Sequence, residues 1–107
     1  MKFKTHNDKD INVGGTCLQG EITCTYQKLK AKFGQPSESD GYKVDAEWGI
    51  EGEDGTVATI YNWKDGVNYC GEDGLDVEDI TEWHIGGKSS LAESTVDQYI
   101  AQYYAEA

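Results

Sequence analysis

The stretch "YKVDAEWGIEGEDGTVATIYNWK", Tyr42–Lys64, decides the fold. In its first half Val44, Ala46, Trp48 and Ile50 alternate with Asp45, Glu47, Gly49 and Glu51. Strict alternation predicts a strand with one buried face. Asp54-Gly55 is a favoured hairpin turn, and "TVATIYNWK" follows as the return strand. A two-residue turn there sets Glu53 opposite Thr56, Trp48 opposite Tyr61, Ala46 opposite Trp63 and Ile50 opposite Thr59. One face then collects Trp48, Ile50, Val57, Tyr61 and Trp63 as an aromatic wall. The other carries Asp45 opposite Lys64, Glu47 opposite Asn62 and Gly49 opposite Ile60.

Outward from the hairpin, "ITEWHIGG" reads as a third strand, with Trp83 and Ile85 on one side and Glu82 and His84 on the other. Upstream, "TYQKLKAKFGQP" is a helix. Thr25 or Thr23 caps it, Tyr26, Leu29 and Phe33 share a face, and Gly34 and Pro36 end it. Downstream, Ser90-x-x-Glu93 is a capping box, and Ala92, Val96, Tyr99, Ile100 and Tyr103 make the apolar stripe of a final helix. "INVGGTCLQGEI" reads as an irregular loop leading to a short strand or turn, and the acid-rich run between Lys64 and Ile80 as a loop tied down by Tyr69 and Val77. The expected architecture is a single α+β domain over residues 1–107: a small antiparallel sheet of three or more strands, two helices on one face and the other face exposed. We find no repeat, linker or low-complexity tract.

Charge restricts the function. The 107 residues hold 20 acids and 9 bases, a net charge of −11, and every base is a lysine. Broad nucleic-acid binding and a polybasic membrane anchor both need the opposite balance. No apolar run is long enough to span a bilayer, and no apolar stretch follows the lysines of "MKFKTHNDKD", so neither a membrane span nor a signal peptide is expected. Cys17, Cys24 and Cys70 are odd in number and form no C-x-x-C, which suits a reduced, cytoplasmic protein without a zinc site. The acidic loop lacks the EF-hand spacing, and the glycines near residue 15 lack the Gly-Lys-Ser/Thr of a phosphate loop. No cofactor motif is present.

With this register His84 shares the exposed face with Lys64. Lys43, Lys64, His84 and Lys88 are then cationic or near-cationic groups on one surface of an acidic protein, which suits a small anionic ligand. The backbone at Gly86 and Gly87 can approach a phosphate, Tyr61 can stack on a base, and Thr16 and Gln19 offer a hydroxyl and an amide.

The series "GTCLQGEI", "FGQP", "DGYKVDAEW", "DGTVATIYNWK" and "WHIGGK" resembles a group of small proteins of phages and environmental viral sequences. It is also similar to the viral anti-CBASS sponge proteins. That resemblance implies a noncatalytic counter-defence protein that binds and sequesters a cyclic dinucleotide or a related nucleotide signal in the host cytoplasm. The site residues come from the face argument: Thr16, Gln19, Lys43, Tyr61, Lys64, His84, Gly86, Gly87 and Lys88. An alternative is an acidic inhibitor or DNA mimic that blocks a basic host defence protein through acids 72–82. A third, weaker reading makes His84 the general acid/base of a phosphodiesterase. Tyr99, Tyr103 and Tyr104 fit either a homodimer contact or the core.

Overall fold

The computed structural model describes residues 3–11, 13–37, 46–63 and 70–106, with side chains of the last helix described through residue 101. The strands are β1 (Phe3–Thr5), β2 (Cys17–Thr23), β3 (Glu47–Gly52), β4 (Val57–Tyr61) and β5 (Glu82–Gly87). Among the described residues the principal helices are α1 (Tyr26–Phe33) and α2 (Leu91–Glu106). One antiparallel sheet runs in the order β1-β3-β4-β5-β2. Both helices lie on one of its faces, so the expected α+β class holds.

The core sits between that face and the helices. Trp48 and Trp83 are fully buried and meet edge to face at 5.5 Å, flanked by Ile50, Ile60 and Ile85. Their indole N–H groups would be costly to bury alone. Trp48 Nε1 donates to the Gly34 carbonyl at 2.8 Å and Trp83 Nε1 to the Cys24 carbonyl at 2.9 Å. Those two acceptors lie at either end of α1, so the indoles locate the helix as well as filling the core.

Thr25 caps α1 as expected, its hydroxyl accepting from the Lys28 N–H, and Gly34 ends it at φ +85°. Leu29 and Phe33 are buried. On α2 Ala92, Val96 and Tyr99 are buried; the side chains of Tyr103 and Tyr104 lie outside the described residues. The expected Ser90–Glu93 box gives way to Ser89, whose hydroxyl accepts from the Leu91 N–H. Glu93 instead lies over Gly20 of β2, where an added Cβ would overlap its carboxylate. After single 3-10 turns at Gly71–Asp73 and Val77–Asp79, Ile80 is fully buried and Val77 packs partly on the core.

The hairpin differs from expectation by one position. Trp48 pairs with Ile60, Ile50 with Ala58 and Glu47 with Tyr61. The loop has three residues, Glu53, Asp54 and Gly55, not two. The Gly55 N–H donates to the Gly52 carbonyl, the Gly52 N–H to the Thr56 carbonyl, and Gly55 has φ +86°. This is the three-residue loop that ends in a left-handed glycine, and Asp54 reinforces it by accepting from the Thr56 N–H at 3.0 Å. A one-residue shift exchanges the faces of the return strand. Ala58, Ile60 and Asn62 therefore face the core, while Val57, Thr59 and Tyr61 turn to the opposite side. Asn62, expected in the open, is fully buried and accepts from the Ala46 N–H at 3.0 Å.

Nor is the second face bare. β1 and β2 are neighbours in sequence but lie at opposite edges of the sheet, so the segment joining them has to cross a face. The helices occupy one; the crossing takes the other. An added Cβ on Gly49 would touch Val13, His6 and Ile11. The His6 N–H donates to the Gly49 carbonyl at 3.0 Å, and the Gly49 N–H points at His6 Nδ1 at 3.4 Å. No helix among the described residues is long and apolar enough to cross a membrane.

Candidate functional site

Alternation along three neighbouring strands builds the candidate site. β4 presents Thr59 and Tyr61, β5 presents Glu82, His84 and Gly86, and β2 presents Leu18, Glu21 and Thr23. Their register brings Tyr61 opposite His84, and His84 opposite Glu21. The crossing segment lies over Gly49 on β3, farther towards the β1 side. Beyond it Leu18 is 55% exposed and Trp63 42% exposed.

The rings form a short ladder. Trp63 meets Tyr61 edge to face at 6.2 Å, and Tyr61 meets His84 edge to face at 5.6 Å. Carboxylates surround it. Glu21 Oε1 lies 3.6 Å from His84 Nε2, and the Glu21 side chain is 70% exposed. At that distance and exposure the pair is weak. Glu47 is the cross-strand partner of Tyr61, and Glu82 that of Thr23. Burial, with the Glu47 charge and Cys17 adding to it, pushes the Tyr61 hydroxyl above its ordinary value. Tyr61 is thus a neutral hydroxyl beside a carboxylate.

Of the cations expected here, Lys43 and Lys64 lie outside the described residues. Lys88 is exposed just past the end of β5, four positions from His84, or roughly 13 Å along the chain direction. The basic groups Lys4 and Lys9 stand at the distant β1 edge, where Lys9 Nζ lies 3.4 Å from Glu51. The described surroundings of His84 are therefore acidic, not basic.

The remaining expected residues serve the fold. Thr16 Oγ1 donates to the Val13 carbonyl at 2.9 Å and helps close the turn before β2. Gln19 sits at the bulge in β2, and its amide nitrogen lies 3.2 Å from the Gly87 carbonyl and 3.3 Å from Cys17 Sγ. Gly86 and Gly87 are buried. An added Cβ on Gly86 would stand 2.5 Å from Thr59 Oγ1, and one on Gly87 would overlap Ala92 of α2. Their missing side chains let protein groups approach, where a phosphate was expected.

Leu18, Glu21 and Trp63 were not among the expected site residues. The hairpin register assigned Trp63 to the wall, and reading residues 11–22 as an irregular loop leading to a short strand or turn gave Glu21 no partner strand, which hid the Glu21–His84 pairing. Cys17 and Cys70 are exposed and Cys24 is buried, and none of the three is in a disulfide. Among the described residues no three His, Cys, Asp or Glu side chains gather to hold a metal ion. A cleft of about 380 Å³ opens at the other edge of the sheet, beside Phe3, Lys4, Lys9 and Glu51.

Fold and site together describe a small α+β protein with an aromatic patch set in an acidic sheet face. No protein-family model, curated protein or solved structure matches the chain.

Proposed function

We propose that the chain is a noncatalytic binding protein whose partner is a protein with a basic surface. The observation that carries this reading is the acidic frame around an exposed indole. Trp63 and Leu18 offer apolar contact, Tyr61 and His84 extend it, and Glu21, Glu47 and Glu82 supply the complementary charge. Aromatic anchors inside a polar rim are the usual anatomy of a protein contact. The net charge of −11 adds long-range attraction for a cationic partner. With the resemblance to viral proteins, the biological role we propose is inhibition of a basic host defence protein in the cytoplasm of an infected cell. The test immobilises the full chain and compares it with Trp63→Ala and with Glu21→Lys/Glu82→Lys in a bacterial lysate. A basic protein should be retained by the unaltered chain alone. It should elute as salt rises from about 0.1 M to about 1 M, where the screening length falls from roughly 10 Å to roughly 3 Å. Equal retention by all three proteins refutes the reading.

A second reading, sequestration of a cyclic nucleotide signal, is favoured by the Trp63–Tyr61–His84 ladder, since every base has a face on which such rings stack. It requires phosphate-neutralising groups, a role the sequence offers to Lys43 and Lys64. A cyclic dinucleotide at 100 times its Kd would raise stability by about 2.7 kcal/mol. That gain should vanish in Trp63→Ala, and the ligand should be recovered intact on denaturation. A thermal-denaturation panel of cyclic dinucleotides without any shift removes this reading.

A further inference from the structure

β2 is the longest strand of the sheet and forms its outer edge. The direction of its backbone groups follows from one bond. The Cys24 N–H donates to the Thr81 carbonyl of the neighbouring chain segment at 2.7 Å. Backbone groups alternate along an antiparallel ladder, so Ile22, opposite Trp83, also points at β5. Glu21 and Thr23 lie between, and their N–H and C=O groups point away from the sheet. Neither residue makes a backbone hydrogen bond to a described residue beyond the sheet. Acid lines both sides of this edge. Glu21 stands on the face with His84, and Glu93 reaches over Gly20 on the helix side. Asp97 follows one turn along α2, with its carboxyl pushed up by burial and by the Glu93 charge.

We infer that the β2 edge accepts an extended segment of a partner protein as a sixth strand, with Lys or Arg at alternate positions. The inference rests on the basic-partner reading above and names how that partner engages. Main-chain bonds to Glu21 and Thr23 give the affinity; alternate cations beside Glu21 or Glu93 give the selectivity. Because both faces of the edge carry a carboxylate, a strand with cations on either face finds a counter-charge. A second copy of this chain is the poorer occupant, since it brings another charge of −11 and sets Glu21 among acids.

The experiment adds a synthetic peptide of alternating Lys and Thr to the full chain and follows amide hydrogen exchange. Strand addition slows exchange at Glu21 and Thr23 by at least about tenfold. The same peptide with methylated backbone nitrogens keeps its charge but cannot pair, and gives no protection. Thr23→Pro removes an outward N–H without touching the ladder to β5, and should weaken peptide binding about tenfold while the fold persists. If both peptides bind alike and Glu21 and Thr23 stay unprotected, the attraction is charge alone; the edge inference is overturned and the acidic-face reading stands. Absence of peptide binding overturns it as well. So does protection without peptide in a chain that sediments as a dimer, because the edge would then belong to a second copy. Failure of the broader reading shows separately, as partner retention indifferent to Trp63 and Glu21.

Discussion

β1 and β2 end the same sheet, yet among the described residues the β1 edge is closed at Thr5 while the β2 edge is open at Glu21 and Thr23. In β1 the outward groups of Thr5 are consumed locally. Its N–H donates to Asp8 Oδ2 at 2.9 Å, and its carbonyl accepts from the N–H groups of Asp8 and Lys9. Asn7 continues the closure by reaching the Gln35 carbonyl at 2.9 Å. A three-residue strand capped by its own turn offers little for another chain to extend. β2 has seven residues, and its defences are a bulge at Gln19 and the charges of Glu21 and Glu93. Charge repels acidic strands and makes a neutral strand desolvate unpaired carboxylates, while leaving the edge usable by a basic one. The difference teaches that an edge whose backbone groups are already hydrogen-bonded within its own chain leaves nothing for a partner to pair with, whereas an edge guarded by charge selects among partners.

The largest expected effect tests what holds the open edge in place. Gly87 pairs with both Ala58 and Cys17, so it joins β2 to the rest of the sheet. An added Cβ there would overlap Ala92 and stand 3.2 Å from the Val57 carbonyl. Neither can swing aside. Gly87→Ala should cost about 3 kcal/mol, the upper part of the overpacking range, in chemical denaturation. A loss below about 0.5 kcal/mol would mean that α2 does not clamp β5.

Next in size is a matched pair of prolines. Thr5 and Thr23 both point their N–H groups off an edge, but only that of Thr5 has a described hydrogen-bond acceptor. Thr5→Pro removes a bond to a carboxylate and should cost about 1.5–3 kcal/mol. Thr23→Pro should cost under about 1 kcal/mol, since edge strands tolerate proline where the N–H faces solvent. Equal losses in parallel urea titrations would break the contrast between the edges. A smaller effect is expected from Gly20→Ala. The nearest atoms to the new Cβ all belong to the flexible Glu93 side chain, which can swing away, so stability should change by less than about 1 kcal/mol. Binding of the alternating Lys-Thr peptide should fall as that carboxylate is pushed from the edge.

The contrast of edges was not legible in the sequence, and the reasons are physical. "FKT" is too short to show a period, and Gly20 and the bulge at Gln19 interrupt the alternation of β2. Strands were clear where one face is apolar and the other polar, as in Glu47–Gly52 and Glu82–Gly87, and both helices were clear from their stripes. The return strand "VATIY" is apolar on both sides, so its pattern does not fix the register. Asp54-Gly55 fits a two-residue or a three-residue loop equally well by sequence. That single ambiguity moved Tyr61 out of the wall and Asn62 into the core. Of the candidate site, the placement of His84 opposite the tryptophan side of β5 was readable. Its acidic neighbours on β2 required knowing that β2 is a strand.

The smallest expected effect concerns the charges that guard the open edge, and its sign depends on pH. Burial and the Glu93 charge raise the Asp97 carboxyl above its ordinary 3.8, so the fold favours the protonated form. Its stabilising contribution is complete below 3.8 and is lost as pH rises through the folded-state value. At neutral pH the ionised carboxylate therefore opposes folding. Asp97→Asn should be the more stable protein at pH 7, by on the order of a few tenths of a kcal/mol because water screens an exposed carboxyl, and the gain should close as the solution is taken below pH 3.8. Asp54 supplies the opposite case within the same chain. The Thr56 N–H lowers its carboxyl, so its contribution is present above 3.8 and disappears as pH falls through the lowered value. Asp54→Ala should accordingly lose stability at pH 7 while Asp97→Asn gains it. Denaturation of both variants at pH 7 and at pH 3 reads the two signs together. If Asp97→Asn gains nothing at pH 7, Glu93 and Asp97 do not repel one another. The charge on the helix side of the β2 edge would then be too dispersed to select a basic strand.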